Sequence, residues 1–388
     1  MNILNVNKSK THQSYIKKNR MNLKIKLVLL ALIVLSFSVI KQKEKSLKNY
    51  KSNQFSKFIS EMKSKGVTTG NILVYENGEI IFQSSDGLRS IDPIDSLSLD
   101  SQFRLASVSK QFTGAAIMKL KQAGSIDYDQ KVNTILTDFP YDKITIKHLL
   151  HHTSGIADYI KIINQNFVSQ ESDKRYILGN NEILEIFYDT NPKLNFQPGD
   201  KFEYSNTGYL VLASIVEKVS KQHFRDFLKE NIFEPIGMSY STLFNYQESD
   251  DLNMPNRVFG YKKRKKEYML NDYHLVNDVR GDGGIYSTLN DLYKWNMALI
   301  NYKLLPKEYL DEAWSSGTLN NGKKTNYGFG WSLGDKNKPK AVSHSGGWVG
   351  FTTFLFNEIE TKSGYIILTN NSSDNLSDIK KAIISIRE

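Results

Sequence analysis

The sequence predicts an α+β fold, an antiparallel sheet built from both ends of the chain with a mainly helical region inserted between them. Three observations predict it. Asn71–Tyr75 and Glu79–Gln83 flank Asn77-Gly78, a pair suited to the positive φ angles of a tight hairpin turn. Three apolar segments near the C-terminus, Tyr327–Ser332, Gly350–Phe356 and Tyr365–Thr369, also read as strands. Between these regions, from about 126 to 275, helical periods and loops dominate.

Taken in order, residues 1–20 are a polar, basic extension, and 21–40 carry an apolar run, Leu27–Ile40, preceded by Lys24 and Lys26. Its fourteen residues suit the apolar core of a signal peptide. Counting from Ile25, with lysines reaching towards the interface, the same run makes a short membrane anchor. Both readings stay open, as does a start at Met21. The stronger basic bias before the run favours an outward-facing domain. Residues 41–54 read as a lysine-rich linker and 55–388 as one globular domain. That domain begins with Phe55, Phe58, Ile59 and Met62 at helical spacing. After the hairpin, a polar connection over 84–102 leads to a helix starting near Ser107. It is apolar or small on nearly every side through Met118, which puts it at the centre of a domain, and Gly124 is its natural stop. Shorter helices are predicted at Ile146–His152, Tyr209–Val219 and Phe224–Phe233, and Gln197–Asp200 reads as a turn. Val258–Tyr261 and Glu267–Leu270 read as short strands around the basic run Lys262–Lys266, taken as a solvated hairpin tip. A helix through Asp291–Trp295 follows the glycines at 281, 283 and 284. A last helix covers 376–386.

Charge and composition exclude several classes. The net charge of +10 lies in the N-terminal segment, since residues 1–51 hold twelve basic residues and one acidic residue, Glu44. The remaining 337 residues have 39 basic and 40 acidic side chains. A nearly neutral domain with aromatics at core spacings offers no nucleic-acid surface. The chain has no cysteine, hence no disulfide, thiolate metal site or lipid-modified cysteine. His148, His151 and His152 have a spacing that a metal site can use, but no acidic or histidine partner follows in a recognisable pattern. No metal and no cofactor are therefore expected.

Ser107 and Lys110 stand one helical turn apart and project from the same face. A buried lysine can lose its proton near neutral pH and so activate a serine without a histidine. Ser-x-x-Lys alone is a weak signal. Its context is stronger: Tyr204-Ser205-Asn206 follows, and then His344-Ser345-Gly346-Gly347 at the start of an apparent strand. This order resembles the three motifs of the serine penicillin-recognising enzymes, in their class C β-lactamase-like branch. Leu149–Gly155, Gly281–Ser287, Tyr327–Trp331 and His344–Phe351 carry the same resemblance, which covers about 55–388. That branch also includes D-alanyl-D-alanine carboxypeptidases, D-aminopeptidases and esterases.

The resemblance implies a serine hydrolase with a β-lactamase/transpeptidase-like fold. By its motif positions Ser107 is the acylated nucleophile, Lys110 its basic partner and Tyr204 the proton relay. Asn206 holds Lys110 and the acyl side of the substrate, and the backbone N–H groups of Ser107 and Gly347 form the oxyanion hole. His344 stands where class C β-lactamases usually carry lysine, so a permanent positive charge is replaced by a group only partly charged near pH 7. This shifts the expectation from antibiotics towards D-amino-acid peptides, amides or esters of the bacterial envelope. The alternatives are a β-lactamase proper, or a penicillin-sensing or structural envelope protein that does not turn over. The expected location is outside the cytoplasm, secreted or anchored.

Overall fold

The computed structural model describes residues 4–166, 177–246, 254–264, 267–334, 340–371 and 375–388. It divides into two units, Met1–Phe58 with Ile386–Glu388, and Ile59–Ser385.

Helix α1 runs without interruption from Leu4 to Ser64. The expected linker at 41–54 is therefore helical. The reason is compositional: the first glycine is Gly66, no proline precedes it, and lysine and glutamine are good helix formers. The side chains of Ile25–Ile40 are exposed, Leu30 and Phe37 to 57% and 61%. By length and composition this helix is able to cross a membrane.

In the second unit, β1 (Gly70–Glu76) and β2 (Glu79–Asp86) form the predicted hairpin, with positive φ at both Asn77 and Gly78. The polar connection contains a second small hairpin, β3 (Leu88–Ile91) with β4 (Ile94–Ser96). Strand β5 (Phe103–Arg104) leads into a single 3-10 turn, Ala106–Ser109, and then α2 (Lys110–Gln122). Helices α3 (Ile146–Leu150), α4 (Tyr159–Asn166), α5 (Asn180–Thr190), α6 (Asn206–Ser220) and α7 (Phe224–Leu228) follow. They precede β6 (Thr242–Leu243) and the hairpin β7 (Tyr261–Arg264) with β8 (Glu267–Leu270). Lys262–Arg264 lie on that hairpin and are exposed, whereas residues 265 and 266 of the basic run lie outside the described residues. Then come β9 (Ile285–Ser287), α8 (Leu289–Ile300) and α9 (Lys307–Ala313). Strands β10 (Ser332–Leu333), β11 (Ala341–Trp348), β12 (Phe351–Glu358) and β13 (Ser363–Thr369) precede α10 (Leu376–Arg387).

Six strands form one antiparallel sheet in the order β10-β11-β12-β13-β1-β2, which joins the two ends of the chain as expected. Strand β13, in its middle, is buried at every residue, as a strand covered on both faces must be. Helix α2 is the core helix. Phe112 stacks on Trp295 at 4.2 Å between centroids, and Ala115, Ala116 and Ile117 are fully buried. Two of its buried side chains are tied to distant segments: Trp295 Nε1 donates to Gln111 Oε1, and Thr113 Oγ1 donates to the Gly281 carbonyl.

Two strand expectations fail. Tyr327–Ser332 is a tight turn closed by an isolated bridge between its ends, and only Ser332–Leu333 pairs with β11. Gly330 takes φ +92°, and a Cβ there would meet the Lys110 carbonyl oxygen at 2.6 Å. The segment is shaped by its fit against the start of α2. Residues 258–260 are likewise irregular, because their N–H groups are committed elsewhere, Val258 to Gln102 and Phe259 to Arg89.

Candidate active site

Ser107 lies in the 3-10 turn that leads into α2, after a sharp bend. Ala106 has φ +50°, which costs a non-glycine residue on the order of 1 kcal/mol and holds Ser107 at the head of the helix. The 3-10 turn packs against β11. There Gly346 is required: a Cβ would lie 2.2 Å from the Leu105 carbonyl oxygen and 2.3 Å from Thr353 Oγ1. Thr353 Oγ1 donates to that same carbonyl, pinning the turn to β12.

Lys110 is fully buried. Its Nζ lies 3.1 Å from Ser107 Oγ, 2.8 Å from Asn206 Oδ1 and 2.9 Å from the Asp282 carbonyl oxygen. It also sits 4.9 Å from the ring centroid of Tyr204 and 5.7 Å from that of Tyr209. Asn206 opens α6, and its backbone N–H and side-chain Nδ2 both donate to Asp158 Oδ2 at 2.9 Å. Donation through Nδ2 fixes the amide so that Oδ1 faces Lys110. Asp158 thus also places an anion at the positive end of a helix. Nearby, the Tyr159 N–H donates to Thr207 Oγ1, tying the 157–159 segment to the same helix end.

Tyr204 is 37% exposed and lies on the solvent side of the site. Its ring is 4.2 Å from that of His152. His152 takes φ +55°, which turns its ring in among Tyr204, Tyr209 and Tyr327, and its Nδ1 accepts from the Ser205 N–H. The histidine cluster is therefore structural: His148 Nδ1 accepts from the Thr145 N–H in a capping box, and His151 Nδ1 donates to the Tyr327 carbonyl.

His344 is buried on β11. Its Nδ1 donates to the Ser345 carbonyl at 2.6 Å, which leaves Nε2 to accept from the Tyr327 hydroxyl at 2.8 Å. Burial, reinforced by the charge of Lys110, pushes its pKa down to about 3. His344 is thus neutral at physiological pH, a stronger departure from lysine than the residue type alone indicated.

A pocket of 160 Å³ opens beside Ser107. Asn206, Gly347, Trp348, Tyr159, Asp282 and Arg104 supply much of its wall. Trp348 Nε1 donates to Asn277 Oδ1, and Asp282 Oδ2 accepts from the Tyr159 hydroxyl. Burial holds the Asp282 carboxyl above its ordinary pKa, against the opposing pull of Lys110.

The structure thus gathers Ser107, Lys110, Tyr204, Asn206 and His344 around one centre, with Gly347 on the pocket wall. Sequence reasoning missed Asp158, Tyr159 and Arg104. Each acts through a contact distant in sequence; Asp158 and Tyr159 belong to no motif, and Arg104 stands in the stretch before Ser107 with nothing local to mark its role. Asp282 was visible only as part of a glycine-rich stretch.

An antiparallel sheet closed by both termini, a buried core helix headed by Ser-x-x-Lys and an inserted helical region define a β-lactamase/transpeptidase-like fold. The beta-lactamase family model matches residues 55–385, and the chain belongs to that family of serine hydrolases. Penicillin-binding protein 4* of Bacillus subtilis (strain 168) is 33% identical over 352 residues, covering 88% of this chain and 76% of that protein. A penicillin-binding protein from Bacillus halodurans has the same fold, with a TM-score of 0.74 at 24% identity over 85% of this chain and 98% of that one. So does the D-amino acid amidase of Ochrobactrum anthropi SV3, with a TM-score of 0.68 at 20% identity over 88% of this chain and 98% of that one.

Proposed function

We propose that the chain hydrolyses D-amino-acid peptides, amides or esters of the bacterial envelope through an acyl-enzyme on Ser107. The observation that carries this reading is the position of Lys110 Nζ, 3.1 Å from Ser107 Oγ and oriented by Asn206 and Asp282. Ser107 Oγ attacks the substrate carbonyl and its proton passes into the Lys110–Tyr204 pair. The N–H groups of Ser107 and Gly347 receive the developing oxyanion. The proton then goes, by way of Lys110 and Tyr204, to the departing amine or alcohol. Water adds to the acyl-serine and gives up a proton by the same route. The acid is released and Ser107 regains its hydrogen.

The neutral His344 supports a peptidase, amidase or esterase over a β-lactamase, because no permanent cation stands at that position to meet a β-lactam carboxylate. The exposed apolar stretch of α1 supports an exported protein held at the membrane.

The test is a panel of nitrocefin, p-nitrophenyl esters, D-Ala-D-Ala peptides and D-amino-acid amides, run on wild type and Ser107→Ala. Wild type should turn over a peptide, amide or ester faster than nitrocefin, and Ser107→Ala should lose that activity. Equal ester turnover by Ser107→Ala, with no labelling of Ser107 by a fluorophosphonate, would sink the reading.

A further inference from the structure

Arg104 is 2% exposed and lies on the wall of the pocket beside Ser107. Its Nη2 donates to the Asn277 carbonyl at 3.0 Å, while Nε and Nη1 are buried without a hydrogen-bond partner. Among the described residues no aspartate or glutamate forms an ion pair with it. A buried guanidinium with two idle donors is costly unless an anion completes it. The two carboxylates near the pocket are already engaged, Asp158 by the Asn206 amide and Asp282 by the Tyr159 hydroxyl. The pocket wall includes Gly347 and Asn206, which the family resemblance sets beside the acyl part of a substrate, but neither Tyr204 nor His344.

We propose that this pocket selects acyl donors carrying a carboxylate, with Arg104 as the residue that pairs with it. The proposal rests on the acyl-enzyme reading of Ser107. The idle donors of the guanidinium offer charge-assisted hydrogen bonds to a carboxylate. Ile160, Val276 and Val279 supply apolar wall for the carbon chain that carries the acid.

The test compares methyl esters of N-acetyl-D-glutamate, N-acetyl-D-glutamine and Nα-acetyl-D-ornithine, which are of similar length and differ in charge. Methanol release is followed with the full chain. Wild type should show a kcat/KM for the glutamate ester roughly tenfold or more above the glutamine ester, as expected for a charged hydrogen-bonded pair. Arg104→Met should bring that ratio to about one, and Arg104→Lys should retain part of it. A role for Arg104 only in holding Asn277 and the pocket wall would lower both esters alike and leave the ratio unchanged, which overturns the proposal. A wild-type ratio of one or less, or preference for the ornithine ester, overturns it without any variant, even if Arg104→Met does not fold. Loss of all three activities in wild type would instead count against the acyl-enzyme reading itself.

Discussion

His344 shows how one residue's surroundings set its charge. With Nδ1 donating to a carbonyl and Nε2 accepting from Tyr327, no room is left for a second ring proton. Its folded pKa, about 3, lies below the ordinary value for histidine, and His151 is pushed down to about 4 by burial. His152 moves in the same direction, again through burial first. When a histidine's pKa is depressed in the fold, the unfolded chain takes up the proton first as pH falls. The stability contribution is therefore complete above about pH 6.5 and is lost as pH drops towards the folded values. At pH 5 His344 and His151 should each remove about 2 kcal/mol. Asp282, raised by burial, works in the opposite sense. Calorimetry should show the Tm falling from pH 7 to pH 5, with a shallower fall in His344→Gln. An unchanged slope in that variant would contradict the buried, neutral assignment. Asp158 allows a second prediction at this scale. Asp158→Asn keeps an acceptor near Asn206 but removes its charge, so kcat should drop roughly tenfold with little change in KM. A rise in KM alone would mean that Asp158 shapes binding and not the orientation of Asn206.

At the level of elements, the two glycines of the third motif do different work. Gly346 faces the Ser107 turn with no space for a methyl group, whereas a Cβ at Gly347 meets nothing within 4 Å. Gly346→Ala should therefore push β11 and the turn apart. It should cost about 1–3 kcal/mol of stability and, by misplacing Ser107 against the strand, on the order of a hundredfold in kcat. Gly347→Ala should melt like wild type and show its effect as a raised KM, because its methyl group enters the substrate pocket. Chemical melts and steady-state kinetics on the pair separate the roles, and equal melting points would contradict the packing assigned to Gly346. Period and turn chemistry were enough to locate β1, β2, β12, β13, α2 and α6, since each carries its own local signal. They misread Tyr327–Ser332, whose backbone meets α2 at Gly114 and Lys110 from a turn and not from a strand. Only the facing Lys110 carbonyl shows why Gly330 must bend there.

For the whole molecule, the order of motifs along the chain foretold the assembly of the site better than any local pattern. Ser107, Lys110, Tyr204, Asn206 and His344 are separated by up to 237 positions, yet the three motifs define one centre. Asp158 and Arg104 escaped because their roles depend on long-range contacts that leave no periodic trace. Helix α1 poses the remaining whole-molecule question, since its apolar stretch and uninterrupted course support a membrane-held protein. Ile25–Ile40 spans about 24 Å as helix, somewhat short of a hydrocarbon core of roughly 30 Å. By sequence position Lys26, one residue into the stretch, and Lys41 and Lys43 after it can reach the two interfaces and offset that difference. The full chain should therefore float with phosphatidylglycerol-containing vesicles and resist extraction by high salt, which would release a purely electrostatic association. Replacing Leu30 and Ile33 together by lysine places two charges near the middle of the stretch, at roughly 2.5–3.5 kcal/mol each. That variant should remain in the soluble fraction while its ester turnover stays within about twofold of wild type, because no residue of the Ser107 site is altered. Flotation of the double variant equal to wild type would mean that the apolar stretch is not what holds the chain to the bilayer.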